Sequence, residues 1–243
     1  MRSYLVLDIE TVPDHQLAWD AARDGFPPAP FHQVVALGVL WLDDDLRLKK
    51  LGIFGEGRAA EGDAATEARV LDELAKFMGK AQPHIVTYNG RSFDMPVLVN
   101  RCLRHGIAFR AYYADRDYRY RYSDHGHIDL ADVLTDHGAS RRPSLDTVAR
   151  LVGMPGKLDV DGSMVEAMHE QGRIEEIRTY CLHDVVQTAF VFLRVQLLRG
   201  VLEPDAYRER ATALWDALAA DARVAPVLSA ADRSRVLLEP APG

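Results

Sequence analysis

With 243 residues, 48% of them hydrophobic, and a formal charge of −7, the chain is long enough to bury a full core and too acidic to bind nucleic acid by bulk charge alone. Two cysteines, Cys102 and Cys181, exclude a disulfide framework, and the longest apolar run, VVALGVLWL over Val34 to Leu42, falls far short of the roughly 18 residues of a membrane span. The apolar start is broken at Asp8 before a signal-peptide core forms, so a chain in a reducing cytoplasm without membrane contact is expected.

Residues 3 to 8 read as a buried strand that delivers Asp8 and Glu10 at its end, and residues two apart on a strand share a face, so both carboxylates point one way. Gln33 to Trp41 and Leu46 to Phe54 form a hairpin about the turn Asp43 to Asp45. A helix near Ala64 to Met78 follows. Gly57 and Glu61 to Asp63 before it form a connection, not a phosphate loop, because the Lys-Ser/Thr ending is missing. The short strand HIVTY then exits through Asn89-Gly90 toward a helix at Asp94, a residue that also suits a helix N-cap with Pro96 in the first turn.

Beyond an arginine- and tyrosine-rich stretch, short helices are predicted near Asp129 to Thr135, Leu145 to Val152 and Gly162 to Gln171, and a long one over Ile174 to Leu198. On the long helix Tyr180 and Asp184, four apart, stack on one face, while His183 lies about 100° round and faces elsewhere. Pro204 to Ala220 carries Tyr207, Ala211, Leu214 and Leu218 on one stripe, a face for docking on its own core, and VLLEPAPG closes the chain as a loose tail. The predicted organisation is a motif-bearing domain over residues 1–199, with a helix and tail over 200–243 packed on it. Strands first and helices around them give a mixed α/β sheet.

Four carboxylates, Asp8, Glu10, Asp94 and Asp184, stand in these segments, and like charges held together raise one another's pKa unless cations cancel them. Oxygen-only ligands suit hard ions such as Mg²⁺ or Mn²⁺, and two such ions roughly 3.5–4 Å apart serve in-line phosphoryl displacement. Phosphodiester hydrolysis is the chemistry that follows.

The order D-x-E, N-x-x-x-F-D and Y-x-x-x-D resembles the three motifs of the DEDD exonuclease superfamily in its Y-type, since the position of the H-type histidine is Thr179. DIETVPD, HIDLADVL, PSLDTVARLVG and GRIEEIRTYCLHDVVQT more closely resemble predicted 3′-to-5′ exonucleases related to the exonuclease domain of family-B DNA polymerases, over about Met1 to Arg199. The resemblance implies a ribonuclease H-like fold and catalysis by Asp8, Glu10, Asp94, Tyr180 and Asp184. It implies one ion held by Asp8, Glu10 and Asp184, another held by Asp8 and, through water, Asp94, and Tyr180 orienting the attacking water. Thr11, Asn89 and Phe93 are the implied substrate contacts. The implied substrate is nucleic acid with a free 3′ end, DNA before RNA, and a polymerase or repair protein is the implied partner.

Competing readings are a nucleic-acid-binding protein that kept the fold without cutting, and a metal phosphatase acting on small esters. From Arg101 to Tyr122, six arginines oppose two aspartates and alternate with Tyr112, Tyr113, Tyr118, Tyr120 and Tyr122. Guanidiniums take phosphates and rings stack on bases, so this stretch is a candidate substrate rim, with a loop that merely covers the core edge as its competitor. Asp124, His125, His127 and Asp129 have ligand-like spacing, yet nothing completes a separate metal site, and Asp129 is expected to cap or brace a helix. Ser144 lacks a nucleophile-elbow context, and Arg141-Arg142 reads as a solvated turn, with phosphate contact as its alternative.

Overall fold

The computed structural model describes residues 3–17, 19–20, 25–56, 63–123, 125–158 and 162–239. The connection expected at Gly57 and Glu61-Gly62, the residue Asp124 and the last four residues of the tail lie outside these. In chain order the strands are β1 (Tyr4–Pro13), β2 (His32–Leu42), β3 (Leu48–Ile53), β4 (His84–Thr87) and β5 (His127–Asp129). The α-helices are α1 (Asp63–Ala81), α2 (Asp94–His105), α3 (Arg110–Ala114), α4 (Leu130–Leu134), α5 (Leu145–Leu151), α6 (Val165–Glu170), α7 (Ile174–Leu198), α8 (Pro204–Leu218), α9 (Ala225–Ser229) and α10 (Arg233–Leu237).

The five strands form one mixed sheet in the order β3-β2-β1-β4-β5, with β1 at its centre. β1 runs antiparallel to β2, and β4 and β5 continue parallel on its other side. β1 alternates faces as its sequence requires. Leu5, Leu7 and Ile9 pack with Leu71, Leu74 and Leu98 of α1 and α2, while Val6 and Val12 pack with α7 on the opposite face. Asp8 and Glu10 share the parity of Val6 and therefore face α7.

α7 is apolar nearly all round because both of its flanks are covered. Its most hydrophobic stretch is 72% buried inside the core, which accounts for a helix long and apolar enough by length alone to cross a membrane. Tyr207, Leu214, Val227 and Val236 of α8 to α10 belong to the same buried cluster as α7.

Several boundaries differ from those predicted. β1 continues through Pro13, because Thr11 to Pro13 find antiparallel partners in Val34 to His32 beyond a bulge. His127–Asp129 is a strand that the sequence did not predict, and the helix expected from Asp129 starts at Leu130; three residues are too few for a periodic pattern, and the strand forms by pairing with β4. The supposed loose tail begins in a helix, with Val236 and Leu237 buried against the core.

The arginine and tyrosine stretch divides in two. Arg101 is buried in an ion-pair network, and Tyr118 is buried with its hydroxyl donating to the Pro83 carbonyl at 2.7 Å. Arg121 pairs with Asp132. Only the remainder is a surface.

Candidate active site

Parallel pairing of β1 with β4 stops at Val6 and Val86, so the strands part just before Asp8. A crevice beyond the carboxyl ends of parallel strands is where α/β sheets hold ligands. The Asp94 carboxylate reaches into this gap and accepts from the Ile9 backbone N–H, a donor that the ladder no longer uses. Asp94 opens α2, and the turn before it is fixed by Asp129. Asp129 accepts from the N–H groups of Asn89 (2.8 Å), Arg91 (2.9 Å) and Ala131 (3.0 Å), so one carboxylate caps α4 and braces the turn between β4 and α2. The bracing role expected of Asp129 is therefore what the geometry contains.

From the other side α7 brings Tyr180, Cys181 and Asp184. The helix comes this close because β2 has Gly38 opposite Asp8: a Cβ there would stand 2.8 Å from Cys181 Sγ and 3.1 Å from Val185 Cγ2. Cys181 Sγ lies 3.4 Å from the Asp8 carbonyl oxygen, and one ligand atom each of Asp8, Glu10 and Cys181 fall within 4.8 Å of one another. Tyr180 hydrogen-bonds to Asp184.

The electrostatics follow from this convergence. Burial, then the charges of Asp94, Glu10 and Asp184, push Asp8 well above the usual carboxylate range. Glu10 is raised by burial and by Asp184 and Asp94, with Lys157 pulling the other way. Burial lifts Asp94 to about 7 against the pull of the backbone donors, and Asp184 to about 6 against the Tyr180 hydroxyl and Lys157. Tyr180 is raised by burial and by three neighbouring carboxylates, which keeps its phenol protonated. A site so arranged stores repulsion that a divalent cation would relieve, and hard oxygen donors match Mg²⁺ or Mn²⁺. Cys181, itself held protonated by burial, adds no harder ligand.

Thr11 and Phe93 line a cavity of about 630 Å³ beside Glu10. His32 Nε2 lies 2.9 Å from the Pro27 carbonyl, which can only accept, so Nε2 carries the proton of the neutral ring. Nδ1 then accepts from the Thr11 hydroxyl at 3.0 Å. Phe93 packs edge-on against the same imidazole, 4.9 Å between centroids. Asn89 does not line this cavity, and its side-chain oxygen takes a hydrogen bond from Arg142.

Four residues at the site escaped the sequence reading. Lys157 is exposed, yet its charge reaches Glu10 and Asp184. Gln187 accepts from Gly156 N–H at 2.7 Å and donates to Asp184 at 3.4 Å, tying the Lys157 turn to α7. The positions of Cys181 and Gln187, each three residues from Asp184, were the available signal for both. Nothing in the sequence pointed to His32. His183 turns away, as its helical angle required, and bonds the Arg223 carbonyl.

Residues 24–230 match the family described as predicted 3′-5′ exonuclease related to the exonuclease domain of PolB. The chain belongs to this family and is a nuclease of the 3′-to-5′ exonuclease class. Among solved structures it is similar to the family B DNA polymerase of the archaeon Pyrobaculum calidifontis, with 19% identity and a TM-score of 0.56 over 98% of this chain and 28% of the polymerase. It is also similar to Escherichia coli exonuclease I in complex with a dT13 oligonucleotide, with 15% identity and a TM-score of 0.45 over 83% of this chain and 43% of that one. The fold shared with the polymerase is ribonuclease H-like. The chain spans less than half the length of either protein. No curated protein matches the sequence.

Proposed function

We propose that this chain hydrolyses single-stranded nucleic acid from its 3′ end, DNA before RNA, with Asp8, Glu10, Asp94 and Asp184 holding two Mg²⁺ or Mn²⁺ ions. The observation that carries this is the meeting of four buried or half-buried carboxylates, from β1, α2 and α7, at the parted end of the central strand. When bound, the ions would supply a Lewis-acid centre that makes water nucleophilic at neutral pH and neutralises the leaving oxygen. The relation to a polymerase exonuclease domain favours DNA. A cavity of about 630 Å³ falls within the usual range for small ligands, about 300–1,000 Å³, and suits one terminal nucleotide better than a duplex end. Thr11, whose hydroxyl proton is committed to His32, would offer its oxygen to that nucleotide, and Phe93 its ring. Two buried free thiols, Cys102 and Cys181, agree with a reducing cytoplasm as its place.

Tyr180 acts as a hydrogen-bond donor in this scheme. Its raised pKa rules it out as a base near neutral pH, and its bond to Asp184 fixes where the phenol points. Tyr180→Phe is expected to lower kcat by roughly 10–100-fold, the loss of one positioning hydrogen bond, while Mn²⁺ affinity measured by calorimetry stays within about twofold. An unchanged rate across a pH series would make the tyrosine structural.

The function itself is tested with 5′-labelled DNA and RNA oligonucleotides in Mg²⁺, Mn²⁺ or EDTA. A metal-dependent ladder shortening from the 3′ end is expected. Intact substrates under every metal condition would favour a binding protein with the same fold.

A further inference from the structure

The part of the arginine and tyrosine stretch that is not buried forms a surface next to the turn carrying Asn89 and Asp94. Arg91 joins the two, its guanidinium donating to the carbonyls of Tyr118, Tyr120 and His127 at 3.3, 3.2 and 2.6 Å. Tyr120 and Tyr122 are 43% and 64% exposed, large values for aromatic side chains, and their centroids stand 5.9 Å apart. Tyr122 in turn lies 4.7 Å from the His137 ring, which extends the row. Arg116 covers Tyr120 at 4.7 Å, and Arg142 reaches back to Asn89. Arg116, Arg141 and Arg142 are all exposed on a chain whose formal charge is −7.

The exposed rings of Tyr120 and Tyr122 bury no core, with the half-buried His137 ring behind them, and cations gathered on an acidic protein serve no evident folding purpose. Both suit a polyanion with flat bases. Bases stack on aromatic faces whatever their sequence, while guanidiniums hold the phosphates between them.

We infer that Tyr120, Tyr122, His137, Arg116 and Arg142 form the track along which the single strand upstream of the scissile bond lies. This rests on the exonuclease reading and extends it. The track would fix substrate length preference: chains long enough to reach the rings bind better than short ones, with no change at the carboxylates. It would also make the enzyme tolerant of base sequence and sensitive to salt.

The test compares parent, Tyr120→Ala/Tyr122→Ala and Tyr120→Phe/Tyr122→Phe proteins on a dinucleotide and on single-stranded DNA of about 16 nucleotides, the upper site size of common single-strand modules. The Ala variant is expected to raise KM for the long substrate at least about tenfold, with kcat within twofold, and the Phe variant to restore KM because the rings return. Parent kcat/KM should be at least about tenfold higher on the long substrate than on the dinucleotide. Long-strand binding is followed separately by anisotropy in an Asp8→Asn background, which needs no cleavage. A KM and an affinity unaltered by the Ala pair would overturn the track while leaving the exonuclease intact. Loss of the same size on both substrates would also overturn it. If the parent cuts nothing yet the Ala pair weakens binding, the nuclease reading fails and the track stands. A parent dimer that the Ala pair converts to monomer, with DNA affinity unchanged, would assign the surface to a second copy of the chain.

Discussion

Asp8→Asn protein is expected to hydrolyse oligonucleotides at least about 10³-fold more slowly than the parent, and yet to unfold at a higher temperature when both are in EDTA. The first effect follows from removing a carboxylate that faces the other three across the site. The second follows from linkage. Asp8, Glu10, Asp94 and Asp184 all have pKa values raised in the folded state, chiefly by burial. The native state therefore holds more protons than the unfolded chain between about pH 4 and 7, and metal-free stability falls as pH rises through that window. Asn at position 8 takes one ionisable carboxyl out of the repelling set, a gain present near pH 7 that shrinks to nothing near pH 4, where unfolded carboxyls are protonated too.

Divalent cation should reverse the order. Mn²⁺ at about 100 times its dissociation constant adds roughly 2.7 kcal/mol to the parent and far less to the variant. Melting curves at pH 4.5 and 7.5, with EDTA and with Mn²⁺, check the signs. A variant less stable than the parent in EDTA at pH 7.5 would show that the carboxylates are not in conflict.

Arg101→Met is expected to destabilise the fold by about 3–5 kcal/mol, lowering the urea midpoint well beyond the scatter of surface substitutions. Arg101 is 2% exposed. It meets Glu67 through two bonds of 2.7 Å, Nε to Oε1 and Nη2 to Oε2, and Asp14 through one of 2.6 Å. Glu67 and Asp14 are themselves 0% and 3% exposed, so methionine would remove the cation they share and leave Asp14 only Arg104 at 3.3 Å and Glu67 only His105 at 2.7 Å as ion-pair partners among the described residues. Burial alone would raise Asp14, but the hydrogen bond and charge of Arg101 outweigh it and hold the group below its ordinary value.

The network also positions the site. Glu67 accepts from Val34 N–H at 2.8 Å, so Arg101 on the Asp94 helix is tied to α1 and to β2. Arg101→Lys should recover only part of the stability, because an ammonium cannot present the fork that serves both acids. A midpoint within experimental error of the parent for Arg101→Met would mean that the network is replaceable by packing.

The sequence by itself determined which of the site's side chains share a local face. Asp8 and Glu10 share a face because a strand has a period of two, and Tyr180 meets Asp184 because a helix returns after four residues. Both relations are local, so no knowledge of the rest of the chain was needed. The longer helices were legible for the same reason, α7 above all, whose apolar length left no other element possible, while the short α3, α9 and α10 were not.

What only the tertiary structure decided was which charges are spent within the protein and which remain for a ligand. Arg101 and Tyr120 belong to one arginine and tyrosine run, yet the first lies buried between acids that precede it by 34 and 87 residues, and the second stands exposed beside the site. Lys157 and His32 reach the site from a turn and a strand whose spacing to Asp8 carries no period. β5 exists only because β4 offers it a ladder. Partners distant in sequence set these outcomes, because burial and pairing depend on where the chain returns, and short-range periodicity holds no record of that.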